Sequence, residues 1–140
     1  VEVPSTAVMA EQFAREVDFF SVGTNDLTQY CLAMDRGHPK LASKIDAMEP
    51  AVLRLIELTA KGAHQHDKWL GVCGGLASDP DAVPILIGLG VDELSVSVPA
   101  IPSIKAEVRK WSEKECQLLA QKGLNAISGS EVRELVENAR

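Results

Sequence analysis

Residues 17–27 read Val-Asp-Phe-Phe-Ser-Val-Gly-Thr-Asn-Asp-Leu. The first six positions form a short run of mostly apolar residues, which is typical of a buried strand, and the Gly-Thr-Asn-Asp that follows is typical of a loop. The apolar spacing from Leu27 onward indicates a short helix. This stretch therefore predicts a strand, a loop and a helix, in that order.

Three more units repeat this order, with predicted strands at Val1–Val3, Trp69–Val72 and Glu93–Val98. Short strands that alternate with helices indicate βα units and a parallel sheet, whose strands are normally buried on both faces. No Gly-x-Gly-x-x-Gly opens a helix after the first strand, so a dinucleotide-binding fold is poorly supported. A whole (β/α)8 barrel needs about 250 residues. We therefore expect an α/β fold, the C-terminal half of a TIM-type barrel with about four βα units, with residues 1–140 as part of one barrel domain.

Three further helices are predicted outside these units. The helix after Pro50 has a broad apolar face. Two polar-rich helices, roughly Glu113–Lys122 and Ser130–Ala139, are expected to present a solvated acidic face. The sequence starts at Val1 without a methionine and opens directly on strand-like residues, so we expect a fragment of a longer polypeptide.

Composition excludes some classes of function. The formal net charge of −6 argues against a nucleic-acid-binding surface, which needs clustered Lys and Arg. No apolar run reaches the ~18–20 residues that span a bilayer, so we expect no membrane insertion. The three cysteines, Cys31, Cys73 and Cys116, fit neither a disulfide framework nor a zinc site. A reducing compartment is the simpler interpretation, and we expect a cytoplasmic protein.

Two acidic residues that could take part in chemistry follow predicted strands, which is where barrel enzymes place their reactive groups. Glu2 and Asp26 follow strands expected to be adjacent, so their carboxylates could converge on one site. Two carboxylates completed by substrate phosphate oxygens and water are a usual way to hold Mg²⁺. Two structural alternatives stay open: Glu2 as an exposed acid, and Asp26 as a helix N-cap.

Two other residues also have both a functional and a structural interpretation. Cys73 precedes two glycines, which allow a tight turn that brings the thiol close to a ligand. Its alternative is a small buried apolar residue. Arg36 lies in the polar loop Asp35–Pro39, where it is either solvated or offers its planar guanidinium to a phosphate.

Taken together, the loops resemble the phosphoenolpyruvate-binding domain of Enzyme I, the phosphoenolpyruvate–protein phosphotransferase of the bacterial sugar phosphotransferase system. The matching segments are residues 1–5, 17–30, 34–37, 72–77 and 90–97. They extend over nearly the whole chain in the expected order and spacing. Such a series of matches is far more specific than any one of the motifs.

The resemblance implies a role for each candidate. Glu2 and Asp26 match the two carboxylates that bind Mg²⁺ in the family. Asn25 matches a residue that contacts the phosphate, and Arg36 matches one of the arginines that hold it. Cys73 matches the acid that protonates the enolate carbon as pyruvate forms.

The resemblance also implies partners. The parent enzyme would transfer the phosphoryl group of phosphoenolpyruvate to its own histidine and on to a histidine-containing phosphocarrier protein in sugar uptake, releasing pyruvate. We expect a homodimer, because Enzyme I pairs through this region. The acceptor histidine and further phosphate-binding arginines belong to other parts of the family's proteins, so negligible turnover is expected from this chain alone.

Two alternatives remain at this stage. The family often has an acidic residue at the position of Gly75, and the loop at residues 23–29 is shared with pyruvate phosphate dikinase and phosphoenolpyruvate synthase. A barrel of that type is therefore the first alternative. The second is a non-catalytic dimerisation module, because half a barrel leaves open sheet edges and apolar surface that must be covered.

Overall fold

A three-stranded parallel sheet organises the chain. The structure, a computed structural model, describes all residues from 1 to 140. The strands are β1 (Phe19–Gly23), β2 (Trp69–Cys73) and β3 (Glu93–Leu94), in the order β1-β2-β3. The register pairs Phe19 with Trp69 and Gly23 with Cys73, so β1 and β2 begin and end together. The prediction of an α/β fold with a parallel sheet is confirmed.

Eight helices surround or follow the strands. They are α1 (Pro4–Val8), α2 (Ala10–Phe13), α3 (Thr24–Leu32), α4 (Pro50–His64), α5 (Val83–Gly88), α6 (Ile101–Val108), α7 (Glu113–Leu124) and α8 (Gly129–Glu137). Local sequence accounts for several of their starts. Pro50 occupies the first turn of α4, where its missing N–H costs nothing, and Ser112 with Glu115 forms a capping box at α7. None of these helices is both long and apolar enough to cross a bilayer.

The first predicted strand is wrong in extent. Val1–Val3 does not form a regular strand. Only Val1 pairs with β1: its nitrogen donates to Ser21 O at 2.5 Å, and Gly23 N donates to Val1 O at 3.0 Å. Pro4 lacks an N–H to extend such a ladder, and α1 begins at that residue. The fourth predicted strand is also shorter than expected, because only Glu93–Leu94 pairs with β2.

One face of the sheet is covered by helices and the other is open. Phe20 and Val22 of β1 are buried, and α4 packs against this face. On the opposite face, Phe19 and Trp69 stack with ring centroids 4.5 Å apart and remain 48% and 42% exposed. The expectation that the strands are buried on both faces is therefore wrong for this chain, because no element of it covers the second face.

The C-terminal helices are not simply a solvated acidic face. Cys116 and Ala120 of α7 and Val132 and Val136 of α8 are fully buried. Gly88 allows the close approach of α7 to α5, since a β-carbon there would overlap the backbone of Cys116. These two helices therefore extend the apolar core, and the expectation of a solvated face is wrong for their inner sides.

Candidate functional site

The carboxyl ends of β1 and β2 bring several predicted site residues to one edge of the sheet. Gly23 and Cys73 are register partners at the ends of their strands. Asp26 lies in the first turn of α3, which begins directly after β1. Glu2 follows Val1, the residue that pairs with the end of β1. The two acidic residues and the cysteine therefore occupy neighbouring positions at this edge.

The Glu2 side chain lies directly against Gly23. A β-carbon at position 23 would come within 2.8 Å of both Cγ and Oε1 of Glu2. Such a distance is far below ordinary van der Waals contact, so only glycine leaves room for the carboxylate where it lies. The side chain of Glu2 therefore lies against the strand end, and the residue is also exposed, so the alternative of an exposed acid stays open.

Asp26 and Arg36 form an ion pair. Arg36 Nη2 donates to Asp26 Oδ1 at 2.7 Å, and the backbone N–H of Arg36 donates to Gln29 Oε1 at 3.1 Å. The alternative in which Asp26 is a helix N-cap is wrong, because Gly23 is the N-cap residue of α3 and no side chain caps the helix. Gln29 was missed by sequence reasoning, although it is one helical turn after Asp26.

The loop after β2 is tied to the start of α3. Asn25 Oδ1 accepts a hydrogen bond from Gly75 N at 3.0 Å, and Thr24 Oγ1 donates to the carbonyl of Cys73 at 2.8 Å. Gly74 has φ +90°, a left-handed conformation that favours glycine. A β-carbon at Gly75 would lie 3.3 Å from Asn25 Oδ1, so glycine also relieves crowding of this amide. Thr24 is buried, and the sequence placed it in the loop after this strand without assigning it a role.

Cys73 is half-buried at the open face of the sheet. Its Sγ lies 3.9 Å from the hydroxyl oxygen of Ser21, which donates toward it. Cys116, by contrast, is fully buried. The alternative that Cys73 is a small buried apolar residue is therefore wrong, because part of its surface is exposed.

A cavity of about 280 Å³ adjoins this edge. Asn25 and Arg36, the two predicted phosphate contacts, both line it, whereas Glu2, Asp26 and Cys73 lie outside its lining. Its wall also includes Asp46, Asp79 and Arg133, none of which the sequence singled out. No short-range pattern could have indicated them, because Arg133 contacts a partner 87 positions away.

The donors at this edge suit a hard divalent cation. Glu2 and Asp26 offer carboxylate oxygens, the ligands that Mg²⁺ prefers, and only one oxygen of Asp26 is engaged by Arg36. No group of three or more His, Cys, Asp or Glu side chains is arranged to hold a metal ion by itself. Two protein carboxylates with the remaining positions left to substrate oxygens and water are a common arrangement for Mg²⁺. The residues present fit this ion.

The comparison with known families decides the assignment. Residues 1–113 match the family described as PEP-utilising enzyme, PEP-binding domain. The chain belongs to this family. The match contains all five predicted site residues and every strand of the sheet, and it ends at the start of α7.

The curated relatives of this chain have names that refer to phosphoryl transfer. The chain is 52% identical over 135 residues to the multiphosphoryl transfer protein of Rhodobacter capsulatus, covering 96% of the chain and 16% of that protein. It is 47% identical over 138 residues to the phosphoenolpyruvate-protein phosphotransferase of Buchnera aphidicola, covering 99% of the chain and 24% of that protein. The protein of the same name from Bacillus subtilis is 47% identical over 132 residues, with coverages of 94% and 23%. The chain thus spans between 16% and 24% of the length of these relatives.

Proposed function

We propose that this chain is part of a phosphoenolpyruvate–protein phosphotransferase and supplies residues that bind phosphoenolpyruvate and protonate the enolate that the transfer leaves. The observation that carries the proposal is the alignment of 94% to 99% of the chain with relatives of that name at 47% identity. Two of the relatives reported above are named phosphoenolpyruvate-protein phosphotransferase, and the third is named multiphosphoryl transfer protein. A dikinase-type function is therefore not proposed.

Asn25 and Arg36 are the proposed contacts of the substrate phosphate. Both line the cavity beside the strand ends, and Arg36 offers a planar array of donors that suits phosphate oxygens. Phosphoryl transfer depends mainly on positioning and on neutralising charge, and Arg36 would contribute to both. The backbone N–H of Gly75 donates to Oδ1 of Asn25. This contact orients the Asn25 side chain and leaves its NH₂ group for another partner, which supports the proposed role.

Glu2 and Asp26 are the proposed ligands of Mg²⁺. When bound, the ion would neutralise phosphate charge and orient the substrate. The Glu2 side chain lies against Gly23 at the strand end, and Asp26 lies in the first turn of α3. Asp26 is therefore carried by a regular helix, whereas Glu2 belongs to the irregular segment before α1.

Cys73 is the proposed proton donor. In the transfer, the bond between phosphorus and the enol oxygen breaks and a bond to a histidine nitrogen forms elsewhere in the full-length enzyme, which leaves the enolate of pyruvate. Carbon 3 of that enolate takes the proton from Sγ of Cys73, and the thiolate regains a proton from water. A thiol can serve as such a general acid because it is largely protonated at neutral pH.

The open face of the sheet favours the half-barrel interpretation. Phe19 and Trp69 form an exposed apolar surface at one end of this face, and Cys73 stands at the other end. In a closed barrel this face would line the interior, where packed side chains fill the space and the reactive groups lie at the carboxyl end. We therefore propose that further βα units complete the barrel in the full-length protein.

The partners follow from the same proposal. The acceptor histidine, the histidine-containing phosphocarrier protein and a role in sugar uptake are proposed for the full-length, cytoplasmic enzyme. The homodimer stays a prediction. The exposed Phe19–Trp69 pair also supports association of this chain with another copy, and a clean monomer by light scattering at high concentration would contradict that association.

Calorimetric titration of the chain with phosphoenolpyruvate, which measures binding affinity, tests the proposal. We expect binding to the chain that requires Mg²⁺, is lost in Asp26→Ala and is retained in Asp18→Ala. Asp18 is a matched control, since it is exposed, makes no ion pair and precedes the opposite end of β1. We also expect no pyruvate release from the isolated chain. Absence of Mg²⁺-dependent binding would contradict the proposed function.

A further inference from the structure

Arg133 of α8 joins two loops that are far apart in the sequence. Its Nε and Nη2 donate to the two carboxylate oxygens of Asp46, at 2.8 and 2.9 Å. Its Nη1 donates to Asp79 Oδ2 at 2.9 Å. The contact with Asp46 is bidentate, the geometry that fixes both distance and orientation. A single side chain therefore connects the segment after Arg36 with the loop after Cys73.

The two carboxylates are themselves held by their own loops. Asp46 Oδ1 also accepts from Met48 N at 2.9 Å, and Met48 is fully buried. Asp79 Oδ1 accepts from Asp81 N at 3.0 Å. Moving Arg133 would therefore move backbone as well as side chains, because each carboxylate is attached to its loop by a second hydrogen bond.

The helix that carries Arg133 is firmly anchored. Val132 and Val136 on either side of it are fully buried, and the N–H of Gly129 donates to Glu49 Oε1 at 3.0 Å. Burial raises the pKa of Asp46, but the hydrogen bonds from Arg133 and Met48 outweigh it and leave this pKa below its ordinary value. The pair therefore remains charged at neutral pH.

Arg133, Asp46 and Asp79 all line the cavity that contains Asn25 and Arg36. All three guanidinium nitrogens of Arg133 already donate to carboxylates. Three of its five N–H donors are therefore engaged by the two carboxylates, and through them Arg133 fixes the wall against which Asn25 and Arg36 are placed.

We infer that Arg133 is a positioning residue for the phosphoenolpyruvate site, which holds the segment after Arg36 and the loop after Cys73 at the separation that lets Asn25 and Arg36 contact one anion. The inference rests on the proposed function. It also extends the site to α8, beyond the residues 1–113 that match the family.

The test compares Arg133→Gln, Arg133→Lys and the control Arg109→Gln in the whole chain. Arg109 is exposed and makes no ion pair. We expect Arg133→Gln to weaken phosphoenolpyruvate binding at saturating Mg²⁺ by about tenfold or more, since small displacements of positioning groups have effects of that size. Arg133→Lys should recover part of the affinity, because it keeps the charge but not the bidentate contact. Arg109→Gln should bind like the wild type.

A second readout does not depend on ligand. The amide resonance of Gly75 reports the hydrogen bond to Asn25, and we expect it to shift and exchange faster in Arg133→Gln but not in Arg109→Gln. An unchanged affinity together with an unchanged Gly75 amide would overturn the inference, even if the melting temperature falls, because Arg133 would then be only a structural contact.

Two further outcomes remain decisive. If the wild type binds no phosphoenolpyruvate, the proposed function fails, and the positioning role of Arg133 is then tested by the Gly75 amide resonance alone. A shift of this resonance in Arg133→Gln supports the role, and an unchanged resonance overturns it. If Arg133→Gln does not fold, Asp79→Asn replaces it in the test. This substitution changes only one of the two carboxylates that accept hydrogen bonds from Arg133. A folded Asp79→Asn with weaker binding or a shifted Gly75 amide supports the inference, and one with neither overturns it.

Discussion

The guanidinium of Arg36 is hydrogen-bonded to the carboxylate of Asp26, with 2.7 Å between Nη2 and Oδ1. A proposed phosphate contact and a proposed metal ligand are thus paired with each other in the structure. The pair neutralises both charges at the edge of the sheet. Binding of Mg²⁺ to Asp26 and of phosphate to Arg36 would exchange this contact for two new ones, which links the two binding events.

Replacement of Arg36 by glutamine should separate these events. We expect the affinity for phosphoenolpyruvate to fall by about tenfold or more, because a hydrogen bond to a charged group contributes about 1.5–3 kcal/mol. The affinity for Mg²⁺ alone should stay the same or rise, since Asp26 loses a competing partner. Calorimetry of each ligand measures both effects, with Arg109→Gln as the control. A parallel loss of both affinities would contradict this interpretation of the pair.

Gly23→Ala should act through Glu2. The added β-carbon would meet Cγ and Oε1 of Glu2 at 2.8 Å, and the flexible carboxylate would have to move. We expect weaker Mg²⁺ binding with little loss of stability, because the neighbour that shifts is the end of a side chain.

A double-mutant cycle checks this prediction. In a Glu2→Ala background, Gly23→Ala should have no further effect on Mg²⁺ affinity. Full additivity of the two substitutions would show that Gly23 acts by another route.

Phosphoenolpyruvate with Mg²⁺ should protect Cys73 from alkylation. Its thiol is half-buried at the strand end, so a ligand there would block a reagent that reaches it in the free chain. We expect the alkylation rate, measured by mass spectrometry of individual peptides, to fall several-fold. Cys31 is also half-buried and serves as an internal control whose rate should not change. Equal rates at Cys73 with and without ligand would place the thiol outside the site.

The Asp46–Arg133 pair should make stability depend on pH in the acid range. The folded-state pKa of Asp46 is lowered from its ordinary value of 3.8, so its stabilising contribution is complete above that value and is lost as pH falls through the lower folded pKa. Glu107, whose pKa is lowered mainly by its hydrogen bond from Lys110, contributes with the same sign. Urea unfolding of the wild type should therefore show a free energy of unfolding that decreases between about pH 5 and pH 2.

Asp46→Asn should flatten this decrease without abolishing it, because Glu107 remains. Asp18→Asn, at an exposed position without an ion pair, should leave the decrease unchanged. An Asp46→Asn variant with the same acid dependence as the wild type would contradict the role assigned to the pair.

Local patterns were sufficient for the regular elements that carry the site. The apolar run before Gly23 and that before Cys73 each predict a strand, and both strands end within one residue of the prediction. Because parallel strands end at one edge, placing Asp26 and Cys73 in neighbouring loops required only the order of the elements. The roles of the individual residues came from the family resemblance and remain predictions.

Other features depend on contacts that no local pattern encodes. The segment Val1–Val3 looks like a strand, but Pro4 begins a helix and only Val1 pairs. The contact of Arg133 with Asp46 joins positions 87 residues apart, and neither residue lies in a recognisable motif. The half-barrel prediction implied uncovered apolar surface, but the sequence did not indicate that Phe19 and Trp69 would stack on it.

The central claim is that Glu2, Asp26 and Cys73 surround one site for a divalent ion and phosphoenolpyruvate. Titration with Mn²⁺ in the presence of phosphoenolpyruvate tests it most directly, because the paramagnetic ion broadens nearby amide resonances. We predict early loss of the resonances of Glu2, Asp26 and Cys73, while those of Trp69 and Asp92, at the opposite end of the sheet, persist. Uniform broadening along the chain, or selective loss at Trp69 and Asp92, would contradict the claim.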